Sequence, residues 1–220
     1  MKRYDLILFD LDHTLTDPSE EMLASARYAL AQFGVNEIPK QVMDRFLDSP
    51  LLAVFEQEFG MTLDQANQAF QHYWYYAGSM GLPKNIPYDG VCEMLAALQA
   101  DGREMVICTA RPLVMAERIV KAVHIDQYFT HIYGTCQDSQ RQNKKLVIFD
   151  ALMHYPHVAP ERVVMVGDRT ADIHGAQDNG VDSLGVVFGS ETAEMLARAK
   201  PTYLVDTVKD MADILLASNL

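Results

Sequence analysis

The chain has 220 residues and a formal net charge of -12, and 49% of its residues are hydrophobic. This length permits one large domain or one domain with an insertion, and the acidic charge without a basic stripe argues against nucleic-acid binding as a main role. There is no apolar run of about 18 residues, so we expect no membrane span.

The start of the chain and its cysteines predict a cytoplasmic protein. The sequence Met1-Lys2-Arg3-Tyr4-Asp5 leads into a strand with acidic residues at its end rather than into a signal peptide. Cys92, Cys108 and Cys136 have neither paired nor metal-ligand spacing, so reduced thiols are the simpler interpretation.

The first predicted strand ends in two carboxylates. Residues 4–9 are mostly apolar, which is typical of a strand covered by helices on both faces of a parallel sheet, and Asp10 and Asp12 follow. Ligands bind outside the carboxyl ends of such strands. Carboxylates this close repel each other, which raises the pKa of one or requires a cation, although an acidic surface turn is the alternative.

Helix-forming segments replace the strand pattern after residue 17. We expect helices over about residues 20–33, 40–59 with a break near Pro50, and 62–77, the last opened by a capping box. Gly81, Pro83 and Pro87 mark a linker back to alternating strands and helices.

This change of pattern predicts two domains. We assign residues 1–17 and 87–220 to an α/β core and residues 18–86 to an inserted helical cap. Two linkers at one junction predict a hinge.

An aromatic cluster lies in the last cap helix, His72-Tyr73-Trp74-Tyr75-Tyr76. Consecutive helical positions point in different directions, so these rings cannot all join one core face. Packing between cap and core is one interpretation. The other is a contribution to substrate specificity, for which Tyr73 and Tyr76 are the candidates.

A strand over residues 104–108 closes with Thr109-Ala110-Arg111-Pro112, and Pro112 fits the first position of a following helix. A hydroxyl and free backbone N–H groups at a helix start predict an anion pocket. Arg111, one residue beyond, is a second candidate for specificity, although it could instead pair with an acid such as Asp17.

The helical pattern over residues 143–152 places Lys144 and Lys145 in its first turn. Lysine there opposes the helix dipole, so a functional role for one of the two is indicated.

A second buried strand, residues 162–166, ends in Gly167-Asp168-Arg169-Thr170-Ala171-Asp172. A turn from strand to helix would bring Asp168 and Asp172 together with Asp10 and Asp12. Such a cluster predicts a Mg²⁺ site, although helix capping explains Asp172 as well. Beyond it we expect a strand over residues 183–189, a helix over 191–198, an edge strand over 202–205 and a last helix from 207.

Four segments together resemble the motifs of the haloacid dehalogenase-like hydrolases, in the same order: Asp10-Leu11-Asp12-His13-Thr14, Thr109, Lys144, and Gly167 to Asp172. The resemblance covers nearly the whole chain and is nearest to the phosphoglycolate phosphatase-like and nucleotidase-like branch. It implies an α/β fold with a Rossmann-like three-layer core, a mainly parallel sheet and an inserted α-helical cap.

The resemblance also implies roles for individual residues. Asp10 would be the nucleophile that forms an aspartyl-phosphate, and Asp12 the general acid and base. Phosphate binding would fall to Thr109, Ala110 and Lys144, with Lys145 as the alternative to Lys144. The Mg²⁺ ligands would be Asp10, Asp12 and Asp168, supported by Asp172. Relatives often have glycine where this chain has His13, so His13 either fills the edge of the cleft or touches the substrate.

The implied activity is hydrolysis of a small-molecule phosphate monoester by a Mg²⁺-dependent phosphatase that resembles phosphoglycolate phosphatase. A nucleoside 5′-monophosphate phosphatase or a phosphosugar mutase of the same fold is the alternative. A non-enzymatic Mg²⁺-binding module is the least favoured interpretation. The sequence leaves the substrate and the oligomeric state open.

Overall fold

The computed structural model describes residues 2–81, 84–135 and 143–217. It divides into two compact units, one of Met1–Asp17 with Pro87–Leu220 and one of Pro18–Ile86. Three residues discussed above, Met1, Pro83 and Cys136, lie outside the described residues.

The larger unit contains a parallel sheet of six strands, in the order β5-β4-β1-β6-β7-β8. Two further short strands, β2 and β3, pair separately. In chain order the strands are β1 (Leu6–Phe9), β2 (Thr16–Asp17), β3 (Ile86–Pro87), β4 (Glu104–Pro112), β5 (His131–Thr135), β6 (Val163–Gly167), β7 (Asp182–Val186) and β8 (Tyr203–Val205).

The helices of the larger unit follow the strands in alternation. They are α5 (Val91–Ala100), α6 (Leu113–Ala122), α7 (Lys144–His154), α8 (Thr170–Asp178), α9 (Ala193–Arg198) and α10 (Val208–Leu215), with short 3₁₀ turns at Asp126–Tyr128 and Pro160–Arg162. The α/β class with a mainly parallel sheet is therefore confirmed.

The smaller unit is helical. Its elements are α1 (Ser19–Ala31), α2 (Lys40–Asp48), α3 (Leu51–Phe59), α4 (Leu63–Tyr76) and a π-helical turn at Ala77–Gly81. The predicted break near Pro50 separates α2 from α3. The predicted capping box is also present, because Gln65 N–H donates to Thr62 Oγ1 and Thr62 N–H donates to Gln65 Oε1.

The aromatic cluster of α4 packs largely within this unit. The Tyr28 ring of α1 contacts the rings of His72, Tyr75 and Tyr76, at a centroid distance of 5.1 Å for Tyr76. Tyr73 is buried, and its ring meets Trp74 edge to face.

Two boundaries differ from the sequence predictions by more than two residues. Strand β4 continues to Pro112, so α6 begins at Leu113 and Pro112 precedes the helix instead of opening it. Strand β7 ends at Val186 rather than at Gly189, and the chain leaves the sheet before Ser190. None of the helices in the described part of the chain combines the length and the apolar composition that a membrane span requires.

Strand β1 lies at the centre of the sheet and all four of its side chains are fully buried. Leu8 belongs to a core cluster that includes Val106, Ile148 and Met165. Burial on both faces explains why the strand has no polar alternation.

Replacing Leu8 by alanine should therefore lower the free energy of unfolding by about 2–5 kcal/mol, because it leaves a cavity in the core. Met153→Ala in α7 is the control, since Met153 is 64% exposed and should cost little when shortened. Urea denaturation followed by circular dichroism measures both variants. Equal losses in the two variants would contradict the central position of β1.

Candidate active site

The site is built where three adjacent strands end. Asp10 follows β1, Thr109 lies near the end of β4, and Asp168 follows β6. Because β1 pairs with both β4 and β6 in parallel, the three segments meet at one edge of the sheet. The starts of α7 and α8 supply Lys144 and Asp172 to the same edge.

The Lys144 side chain is only 4% exposed and makes three polar contacts. Its Nζ lies 2.8 Å from Asp10 Oδ1 and 2.7 Å from Asp172 Oδ1, and it donates to the Cys108 carbonyl at 2.9 Å. The Lys145 side chain is 49% exposed and pairs with Asp178. The structure thus places the Lys144 ammonium beside Asp10 and Asp172, whereas Lys145 lies at the surface beside Asp178.

Three carboxylates form a compact buried group, which we call the acidic triad: Asp10, Asp168 and Asp172. One oxygen from each lies within 4.8 Å of the others. Asp172 also caps α8, because its Oδ2 accepts from Arg169 N–H at 3.0 Å. Capping and membership of the triad are therefore both observed for Asp172.

The electrostatics of the triad are unbalanced. Three carboxylates face one ammonium, so full ionisation leaves a surplus of two negative charges. Burial, together with repulsion from Asp10, outweighs the attraction of Lys144 and raises the pKa of Asp172 to about 7. Burial and Asp10 also raise the pKa of Asp168. Burial opposes the charge on Lys144, but Asp10 and Asp172 outweigh it and raise the lysine pKa.

Asp12 lies apart from the triad and is held by Arg111. Arg111 Nε donates to Asp12 Oδ2 at 2.7 Å, and Nη2 donates to Oδ1 at 2.8 Å. This is a two-bond pairing of guanidinium and carboxylate, which fixes the orientation of both groups. The sequence predicts Asp12 among the metal ligands and leaves Asp17 as an alternative partner for Arg111. In the structure both Asp12 oxygens accept from Arg111.

Thr109 and Ala110 lie in a bulge of β4. Cys108 pairs with Tyr133 and Pro112 pairs with Thr135, so an advance of four residues in β4 corresponds to an advance of two residues in β5. Arg111 N–H donates to Thr109 Oγ1 at 3.1 Å, and the Ala110 carbonyl accepts from Thr135. The segment predicted to bind phosphate is thus a bulged strand end and not a helix start, because α6 begins four residues after Thr109.

Gly134 of β5 lies beside this bulge and leaves room for it. A Cβ atom at Gly134 would lie 2.7 Å from the Arg111 carbonyl oxygen and from the Leu113 backbone. Any other residue would therefore push the bulge away.

His13 occupies the left-handed backbone region, with φ of 60°. Its N–H donates to the Thr16 carbonyl at 2.7 Å, which closes the turn after Asp12. A left-handed backbone position favours glycine, so His13 occupies a conformation that most residues with a side chain avoid. The Thr16 hydroxyl donates to the Leu11 carbonyl at 3.4 Å, and the Thr14 hydroxyl lies 3.4 Å from Asp168 Oδ1.

Sequence reasoning missed two polar residues of the site. Ser190 donates to Asp168 from its backbone and from its hydroxyl, and Glu191 accepts from Thr170 at the start of α8. The signal in the sequence is weak: Ser190 and Glu191 follow a predicted strand end, but they lie 22 and 21 positions from their partners Asp168 and Thr170, and no sequence pattern links them.

Comparison with known proteins decides the family. The sequence model of the haloacid dehalogenase-like hydrolases matches residues 7–186. The chain belongs to the haloacid dehalogenase-like hydrolases. The family named from the four motifs is thereby confirmed.

Several members of this family are similar over most of their length. A 5′-nucleotidase from Pseudomonas aeruginosa is 37% identical over 91% of this chain and 90% of its own. A phosphoglycolate phosphatase from Colwellia psychrerythraea is 26% identical over 96% of both chains. A crystal structure from Clostridium difficile, provisionally named a phosphatase, is 36% identical with a TM-score of 0.92 and covers 98% of this chain and 100% of its own.

The acidic triad fits the Mg²⁺ that haloacid dehalogenase-like hydrolases generally use. Carboxylate oxygens are the ligands that Mg²⁺ prefers, and a divalent cation matches the surplus of two negative charges left by Asp10, Asp168, Asp172 and Lys144. Burial and repulsion from Asp10 raise the pKa values of Asp168 and Asp172, and a bound cation would oppose that rise.

Stabilisation by Mg²⁺ should therefore increase with pH. The pKa of Asp172 is about 7 in the folded protein against an ordinary 3.8, so without metal the contribution of this group to stability is lost as pH rises from about 4 to 7. Mg²⁺ requires the ionised form, so it restores stability mainly at the higher pH. At 100 times Kd the gain is about 2.7 kcal/mol.

The measurement is thermal unfolding at pH 5.5 and pH 8 with saturating MgCl₂ or with EDTA, and NaCl at matched ionic strength is the control for screening. Equal stabilisation by Mg²⁺ at the two pH values would contradict the assignment of the triad.

Proposed function

We propose that the protein is a Mg²⁺-dependent phosphatase that hydrolyses a small-molecule phosphate monoester through an aspartyl-phosphate on Asp10. The observation that carries this proposal is the buried Asp10 carboxylate, paired with Lys144 at 2.8 Å inside the acidic triad. The predicted enzyme class, a phosphoric monoester hydrolase, agrees with the family and with relatives named as a 5′-nucleotidase and a phosphoglycolate phosphatase.

Asp10 is the nucleophile in this proposal. A phosphate monoester repels a carboxylate, so attack needs positive charge near both groups. Bound Mg²⁺, held by Asp10, Asp168 and Asp172, would supply part of that charge. Lys144 supplies the rest from its position 2.8 Å from Asp10 Oδ1. Covalent attack by Asp10 replaces one difficult displacement by two easier ones.

Asp12 is the group that moves protons. It lies two residues beyond Asp10 and outside the acidic triad, so its carboxyl need not share the charge state of the triad. Arg111 orients it with two hydrogen bonds. Asp12 would donate a proton to the leaving oxygen and later accept one from the attacking water.

Thr109 and Ala110 are the proposed phosphate contacts. Thr109 is buried at the edge of the triad, and the bulge of β4 frees this segment from regular pairing with β5. Lys144 reaches the same place through its bond to the Cys108 carbonyl, next to Thr109. An anion placed there would meet a hydroxyl and an ammonium together.

For the substrate we place nucleoside 5′-monophosphates and phosphoglycolate first. The relative named as a 5′-nucleotidase is 37% identical to this chain, whereas the phosphoglycolate phosphatase is 26% identical. His13, Arg111, Tyr73 and Tyr76 remain the proposed specificity residues. A phosphosugar mutase is the second candidate, and the fate of the phosphoryl group distinguishes it, since a mutase transfers that group to a sugar and a phosphatase to water.

Replacing Asp10 by asparagine should abolish turnover, and Asp12→Asn should lower kcat/KM by about 10²–10⁴-fold because it removes acid-base catalysis. The assay is a panel of phosphate esters with and without Mg²⁺, compared by kcat/KM and by phosphate release. Asp178→Asn is the matched control, because Asp178 lies at the surface, where it pairs with Lys145. Mg²⁺ binding without turnover of any ester would favour the non-enzymatic module instead.

The two neighbouring lysines give an internal comparison. Lys144→Met should lower kcat/KM by at least about 10²-fold, because it removes a preorganised positive charge from the place where the reacting phosphoryl group would bind. Lys145→Met should stay near wild type, since this side chain is 49% exposed. Activity is measured with Mg²⁺ present, and circular dichroism checks that both variants are folded. Similar losses in the two variants would refute the assignment of Lys144.

A further inference from the structure

The chain that follows β7 lies directly against Asp168. Ser190 donates two hydrogen bonds to a single oxygen, Asp168 Oδ2, from its N–H at 2.8 Å and from its hydroxyl at 2.6 Å. A Cβ atom at Gly189 would lie 2.2 Å from Asp168 Cβ. Glycine at position 189 is therefore what allows Ser190 to come this close.

The next residue holds the other end of the same turn. Glu191 Oε2 accepts from Thr170 N–H at 2.7 Å, and Oε1 lies 3.4 Å from the Thr170 hydroxyl. Thr170 is the first residue of α8, so a carboxylate from another segment caps the helix and interacts favourably with the positive end of its dipole. Residues 189–191 therefore fix the turn from Asp168 to Thr170 at both ends.

The two oxygens of Asp168 are consequently not equivalent. Oδ2 accepts both bonds from Ser190, whereas Oδ1 lies 3.4 Å from the Thr14 hydroxyl, a long hydrogen bond. An oxygen that already accepts two short bonds has little capacity left for a cation. Asp168 therefore offers one oxygen rather than two.

The number of oxygens offered bears on which cation is preferred. Mg²⁺ requires six ligands in a nearly ideal octahedron, whereas Ca²⁺ accepts six to eight and often takes both oxygens of a carboxylate. We propose that Ser190 is a positioning residue that restricts Asp168 to one oxygen ligand and so favours Mg²⁺ over Ca²⁺. This inference rests on the proposed Mg²⁺ site and adds a residue that controls it.

The test is isothermal titration of MgCl₂ and of CaCl₂ into EDTA-treated, dialysed full-length protein. Ser190→Ala should weaken Mg²⁺ binding by about 10-fold or more, as is typical when a partner of a metal ligand is removed. Ca²⁺ binding should weaken less, so the ratio of the two affinities falls. Ser190→Cys keeps the side-chain volume but donates weakly, and it should behave like alanine.

Two further variants complete the comparison. Ser190→Thr keeps the hydroxyl and should retain the wild-type ratio. Thr192→Ala is the matched control, because Thr192 caps α9 through Met195 N–H and should leave both affinities unchanged. Circular dichroism in EDTA checks the fold of each variant.

The outcomes separate this inference from the proposed function. Wild-type protein that binds no Mg²⁺ would refute the metal site of the proposed function. If the wild-type protein binds Mg²⁺ and the Ser190→Ala and Ser190→Cys variants bind it equally well, the role of Ser190 is overturned and the metal site stands. The same conclusion follows if these variants lose affinity for Mg²⁺ and for Ca²⁺ by the same factor. A loss in Ser190→Thr as large as in Ser190→Ala would also overturn it.

Discussion

The site depends on one buried interaction, the Lys144 ammonium between Asp10 and Asp172. A buried carboxylate is costly unless it is paired and hydrogen-bonded, and here two carboxylates share one ammonium at 2.7–2.8 Å. The Cys108 carbonyl, just before the bulge of β4, accepts a hydrogen bond from the same Nζ. Lys144 thereby connects the end of β1 and the bulged part of β4 to the first turn of α8, so the site and the packing of the sheet share one contact.

Close approach of the backbone makes that interaction possible. A Cβ atom at Gly167 would lie 2.3 Å from the Asp172 carboxylate, and one at Gly175 would lie 3.3 Å from Lys144 Cγ. Glycine at these positions lets α8 lie against β6 and α7. Two lysines at the start of α7 oppose the helix dipole, and Asn143 offsets part of this by accepting from Lys145 N–H. An unfavourable helix start is thus retained where it delivers Lys144.

Much of this arrangement could be predicted from the sequence, since an apolar run followed by an acidic residue indicates a buried strand and its carboxyl end, as for Asp10 and Asp168. The choice between Lys144 and Lys145 could not be predicted, because it depends on how α7 is rotated against the sheet. The bulge at Thr109 depends on register with β5, whose short mixed sequence His131–Thr135 has no strong strand pattern. The Ser190 contact spans 22 residues and leaves no periodic signal.

The site is divided electrostatically along β1. On the β6 side, the negative charge of the acidic triad exceeds the positive charge of Lys144 by an amount that a divalent cation would balance. On the β4 side, Arg111 compensates Asp12 with two hydrogen bonds. A guanidinium that makes two hydrogen bonds to a carboxylate fixes its orientation and balances its charge. The two-residue spacing of Asp10 and Asp12 thus places one carboxylate in each half, and each half has its own cationic partner, Lys144 or Arg111.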